Sequence, residues 1–150
     1  LSEEPYVLGK IGVLNPVVIL LSDHGYEEYA MALMTTQEKA QTRADFVQRF
    51  VDASIEGWYS YLYGDPTPGN AYIKANNPEM SDDQIAYSIR KMKECGVVDS
   101  GDSKQLGIGA MTNARWQSFC QSLVQAGVVP ADLDIKKAYT LQFVNKKVGM

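Results

Sequence analysis

Between Ala44 and Leu62, the residues Phe46, Val47, Phe50, Val51, Ile55, Trp58, Tyr59 and Leu62 recur at three- and four-residue spacings. That period belongs to a long amphipathic helix, and a stripe this broad must be covered by another surface. The chain then breaks at Gly64-Asp65-Pro66-Thr67-Pro68-Gly69, where prolines and glycines supply turn geometry and withhold donors. Two further helices are punctuated as clearly. Ser81-Asp82-Asp83-Gln84 has the pattern of a capping box with carboxylates in the first turn. The helix it opens runs to about Cys95, with Ile85, Ile89 and Met92 on its inner face and Gly96 as its left-handed end. The other begins after Thr112, carries Trp116, Phe119, Cys120, Leu123 and Val124 on one side, and ends at Gly127, with Pro130 preventing resumption.

One segment reads as a strand. Val17-Val18-Ile19-Leu20-Leu21 is the continuous apolar run of a strand buried on both faces. Directly after it come Ser22, Asp23, the only histidine His24, Gly25, Tyr26 and Tyr29. Ligands of open α/β sheets sit beyond the carboxyl ends of strands, so this order would set Asp23, His24, Tyr26 and Tyr29 at the mouth of a cleft. A plainer reading stands beside it, in which a strand end is polar because the chain turns into solvent there. The three helices and one strand predict a mostly helical chain with one or two strands and no large sheet. They also predict that the stripe bearing Phe50, Trp58 and Leu62 is hidden, by self-association or otherwise.

Composition narrows the function classes. A net charge of −4 over 150 residues does not suit nucleic-acid binding, which needs clustered Lys and Arg against phosphates. Lys136-Lys137 and Lys146-Lys147 read as solvated surface. Cys95 and Cys120 are too few for a disulfide framework and lack metal-ligand spacing. No run reaches the roughly 18 to 20 apolar residues of a membrane span. The start, Leu1-Ser2-Glu3-Glu4-Pro5, has neither an initiator methionine nor the features of a signal peptide, and reads as processed or truncated. Leu106-Gly107-Ile108-Gly109-Ala110-Met111 lacks the order of a phosphate loop and reads as a turn or packing segment. There is no Gly-x-Ser-x-Gly elbow, and a single histidine without Cys-x-x-Cys does not supply a zinc site. No cofactor or metal is expected.

Several segments together carry a family resemblance. Glu4-Pro5-Tyr6-Val7, Leu20-Leu21-Ser22-Asp23-His24-Gly25-Tyr26, Leu33-Met34-Thr35-Thr36 and Phe50-Val51-Asp52-Ala53-Ser54-Ile55-Glu56-Gly57-Trp58 resemble the C-terminal half of bacterial periplasmic solute-binding proteins. Asn76-Asn77-Pro78-Glu79-Met80, Gly107-Ile108-Gly109-Ala110-Met111-Thr112 and Ala114-Arg115-Trp116 extend it, so the likeness covers nearly the whole chain. It is similar to the branch named for thiamine-pyrimidine precursor synthesis, related to the taurine, alkanesulfonate and nitrate binders.

The resemblance implies an α/β fold of the type II periplasmic-binding-protein kind, of which this chain would be a mostly helical C-terminal portion. Residues 1–30 would end the second lobe and form a hinge, and residues 31–150 would return through the hinge into C-terminal helices. It implies a periplasmic or lipid-anchored extracellular protein that captures a small molecule and delivers it to an ABC permease. Asp23 would accept from a ligand amine or amide, Tyr26 and Tyr29 would offer ring faces and hydroxyls, and His24 a switchable donor. Two alternatives remain. The same family name covers enzymes that make the thiamine pyrimidine from their own histidine with pyridoxal phosphate and iron; their cysteine-rich motif and active-site lysine and histidine have no counterpart here. The other is a helical interaction module whose apolar faces bind another chain.

Overall fold

The structure, a computed structural model, describes all 150 residues and contains seven α-helices. They are α1 (Glu4–Lys10), α2 (Gln37–Thr42), α3 (Ala44–Tyr63), α4 (Thr67–Asn76), α5 (Asp82–Glu94), α6 (Ser103–Leu106) and α7 (Asn113–Gln125). Short 3-10 turns occupy Leu21–His24 and Ile135–Lys137. None of the helices is long and apolar enough to cross a membrane.

The twenty-residue α3 owes its length to its stripe. Val47, Val51 and Ile55 face inward and are joined by Ile108 and Phe143, which come from loops far along the chain. Ala40, Ala44, Tyr59, Val98, Val144 and Val148 close the margin of this cluster. Two turns beyond Ile55, Leu62 is buried to 2 % exposure. The stripe is therefore covered within one chain along its inner edge, while Phe50 at 55 % and Trp58 at 39 % stay open to solvent.

The glycines of the Leu106–Met111 segment serve close packing, as the sequence suggests. Gly109 lies at φ +80, where a Cβ would already sit 3.5 Å from Ile55, and Gly107 at φ +93 lies against Lys147. The Tyr59 hydroxyl accepts from the Ile108 N–H at 3.3 Å. The C-terminal tail is strapped across the same place by the Asn145 amide. Its Oδ1 accepts from Met111 N–H at 3.1 Å and its Nδ2 donates to Met111 C=O at 2.8 Å.

The other helices obey their caps. Ser81 accepts from Gln84 N–H at 3.2 Å and Thr112 from Arg115 N–H at 3.3 Å, and Gly96 and Gly127 take positive φ after α5 and α7. On α5, Ile85 is fully buried whereas Ile89 and Met92 are only half-buried. Cys95 is exposed, Cys120 buried, and both are free thiols. Four helices carry no clear signal in the sequence: α1, α2, α4 and the single-turn α6. Of these, α4 begins inside the Pro/Gly turn, because prolines at its entry and at the second residue need no helical donor. Thr67 holds the Asp65 carboxyl below the usual carboxylate range, first through its side chain and then through its N–H, which donates to Asp65 at 2.9 Å. The contact belongs to neutral pH and is lost as the pH falls through that lowered value.

The expected α/β architecture is overturned: 53 % of the residues are helical and no strand or sheet is present. A type II periplasmic-binding fold needs sheets. The single strand candidate shows why none forms. Val17 to Leu20 is irregular, and no second extended segment pairs with it. The run ends when Leu20 C=O accepts from Asp23 N–H at 3.1 Å and opens a 3-10 turn. Val17 is 88 % and Ile19 69 % exposed, so the apolar run is not a core element of this chain.

These placements separate two sets of apolar residues. Leu62→Ala or Ile85→Ala should lower unfolding free energy by about 2–5 kcal/mol, whereas Ile19→Ser should change it by less than about 0.5 kcal/mol. Urea denaturation checks both, and a large loss from Ile19→Ser would mean that the run is buried after all.

Candidate functional site

The Leu21–His24 turn is short, and Gly25 at φ +86 redirects the chain out of it. Left-handed backbone is cheap for glycine, so the turn ends abruptly. Asp23 and His24 are exposed, and the ion pairs of the chain all involve other residues. Adjacent positions of a 3-10 turn diverge by about 120°, so these two side chains lie beside each other without pairing.

Beyond the turn, residues 26–29 are anchored to α7. The Tyr26 ring meets Phe119 edge-on, with centroids 5.3 Å apart. Tyr29 packs at 5.2 Å from Trp116, and its hydroxyl accepts from Thr112 N–H at 2.9 Å. Arg115 clamps the segment between them. Its Nη2 donates to Glu28 C=O at 2.7 Å and its Nε to Glu27 C=O at 3.2 Å, while the guanidinium sits 4.4 Å from the Tyr29 ring centroid. Charge assistance and the cation–π contact both favour this geometry.

Tyr26 and Tyr29 therefore lie with α7, apart from the solvent-facing pair Asp23 and His24. Their rings are occupied by protein contacts, which makes the tyrosines anchors of the turn in this structure. The anchoring network extends to Tyr139, which stacks on Trp116 at 4.8 Å and 9° and donates to Asn113 Oδ1 at 2.7 Å. The Trp116 Nε1–H is buried inside this stack without a partner. Sequence reasoning does not pick out Arg115 and Tyr139 as members of the site. It holds one signal for Arg115, a cation in the first turn of α7, where the helix dipole disfavours it unless carbonyls receive its donors.

Chemically, the exposed part of the site offers a carboxylate acceptor, an imidazole and the Ser22 hydroxyl. Two shallow hollows lie elsewhere. One of about 340 Å³ is lined by Gln117, Cys120, Gln121, Val124 and Ile135, among others, and one of about 380 Å³ by Asn113, Lys136, Tyr139, Thr140 and Leu141. Neither includes Asp23 or His24. No group of three or more His, Cys, Asp or Glu side chains converges where a metal ion could be held.

Arg115→Ala should release the Tyr26–Tyr29 segment. Loss of the charged hydrogen bonds is worth about 1.5 kcal/mol or more, so chymotryptic cutting at these tyrosines should rise about tenfold with helix content retained. An unchanged cutting rate would show that Arg115 does not hold the segment.

No protein-family model, curated protein or solved structure matches the chain.

Proposed function

We propose that this chain captures a small nitrogen- or sulfur-containing solute as part of the substrate-binding component of an ABC transporter. An aminopyrimidine of the thiamine-precursor kind is the leading candidate. The observation that carries the reading is the Leu21–Gly25 turn, which exposes a carboxylate and an imidazole on consecutive residues while Arg115 and the aromatic stack fix the chain behind them. A preorganised turn loses little entropy when a ligand binds. Its hydrogen-bonding groups suit a cationic or amide-bearing molecule, and the chain just after Tyr26 is held by Thr112 and Arg115 through the Tyr29 hydroxyl and the Glu27 and Glu28 carbonyls. The turn forms one wall only, so the opposing wall comes from whatever covers the exposed segment around it. On this reading the protein works outside the cytoplasmic membrane and hands its ligand to a permease.

A second reading, an interaction module, is favoured by a separate observation. Ile11, Leu14, Val17, Ile19, Leu21, Met31 and Met34 are each more than 60 % exposed, an apolar arm that a solvent-facing chain does not keep without a partner.

Calorimetry of the protein with aminopyrimidines, sulfonates and nitrate distinguishes the readings. An amine-bearing ligand should bind, and Asp23→Asn should weaken it about tenfold or more, since a hydrogen bond to a charged group contributes roughly 1.5–3 kcal/mol. Binding of anions only, unchanged by Asp23→Asn, would leave Asp23 without a ligand role, and absence of any small-molecule heat would favour the interaction module.

A further inference from the structure

The outer face of α3 is not polar. Phe46, Phe50, Ala53 and Gly57 succeed one another at four-, three- and four-residue steps, the spacing of alternating seam positions in a coiled coil. All four are exposed, Phe46 at 44 % and Phe50 at 55 %, because the helix's own core occupies the face with Val47, Val51, Ile55 and Leu62. A Cβ built on Gly57 would meet nothing within 4 Å. The surface as a whole is also too large. The chain exposes 10495 Å². A compact monomer of its mass would expose about 7,600 Å². The surplus of roughly 2,900 Å² is shared between this face and the open arm from Ile11 to Met34, and it exceeds the ~800 Å² that each partner contributes to a standard stable interface.

We propose that a second copy of this chain covers the face, its α3 packed antiparallel across a two-fold axis. The seam is complementary to itself only in that direction. Phe46 then lies over Gly57 of the other copy and Phe50 over its Ala53, large on small along the whole contact. Parallel pairing would set Phe46 against Phe46 and leave a void between the glycines. Charge agrees with the same direction. Arg49 and Glu56 occupy one edge of the seam, seven residues apart and both exposed. In an antiparallel pair such same-edge positions face each other, so Arg49 of each copy meets Glu56 of its mate. Arg49 is held only by exposed Asp45, its Nη2 donating to the carboxylate at 3.3 Å and its Nε to the Asp45 C=O at 3.4 Å, contacts that an exposed side chain exchanges at little cost. The two-fold makes every contact occur twice, as an isologous interface requires.

Analytical ultracentrifugation of the full chain, with circular dichroism as the control for folding, tests the arrangement. The wild type should be a dimer in reversible equilibrium with monomer at micromolar concentration. Gly57→Leu, which raises helix propensity and fills open space in the monomer, should abolish the dimer without loss of helix content. Arg49→Glu should weaken it about tenfold, and the exchange Arg49→Glu with Glu56→Arg should restore it, because two exposed pairs of ~0.2–1 kcal/mol each change from attraction to repulsion and back. A folded wild-type monomer at every concentration overturns the proposal. So does a dimer indifferent to Gly57→Leu and to the charge exchange, or a face that takes up a different polypeptide in place of a second copy.

Discussion

The inner face of α3 must be kept dry, and the residues that do so come from distant parts of the chain. Ile108 and Phe143 reach Val47, Val51 and Ile55 only because the segments carrying them are tied down by backbone contacts. The Asn145 side chain bonds both polar groups of Met111, and Gln48 on α3 donates to Phe143 C=O at 3.1 Å. The side-chain oxygen of Gln48 receives Lys146 Nζ. Each large apolar side chain buried here contributes roughly 1.5–3 kcal/mol, and each buried backbone group left unpaired would offset much of that. The tail and the glycine segment are thus held as one cover.

The same cover fixes the candidate site. The chain leaving Met111 enters α7 through Thr112, whose hydroxyl caps the helix and donates to Asp102, and whose N–H meets Tyr29. One turn of α7 then supplies Arg115 and Trp116 to the segment behind Asp23 and His24. A path of hydrogen bonds and ring contacts runs from the α3 core to the exposed turn. On the opposite flank, α1 rests on α5 through Tyr6 and Tyr87, with centroids 5.4 Å apart, and through Ser88 Oγ donating to Ser2 C=O at 2.7 Å. Between these two anchors the chain from Ile11 to Leu20 crosses open surface.

Periodicity and capping are legible in the sequence because they are local. The α3 stripe, the Ser81 and Thr112 caps and the glycines at 96 and 127 all act within one helical turn of themselves. The strand expected at Val17–Leu21 fails for a non-local reason: an apolar run says that a segment is sticky, and pairing requires a second strand, which this chain does not hold. Asp23 and His24 stand out by position, directly after an apolar run, and His24 also as the only histidine. Arg115 and Tyr139 do not, because their roles arise from carbonyls and rings 87 and 23 residues away in the sequence. The helix α4 is hidden by prolines that read as breakers and serve as starters.

A dry α3 core beside an apolar run that no strand covers is the central feature of this fold. Amide hydrogen exchange resolves both at once. The α3 amides from Val51 to Leu62 should exchange slowest, and those of Val17 to Leu20 should exchange near the rate of unstructured chain. Protection of Val17 to Leu20 equal to that of α3 would place the run in a paired strand and contradict the all-helical fold.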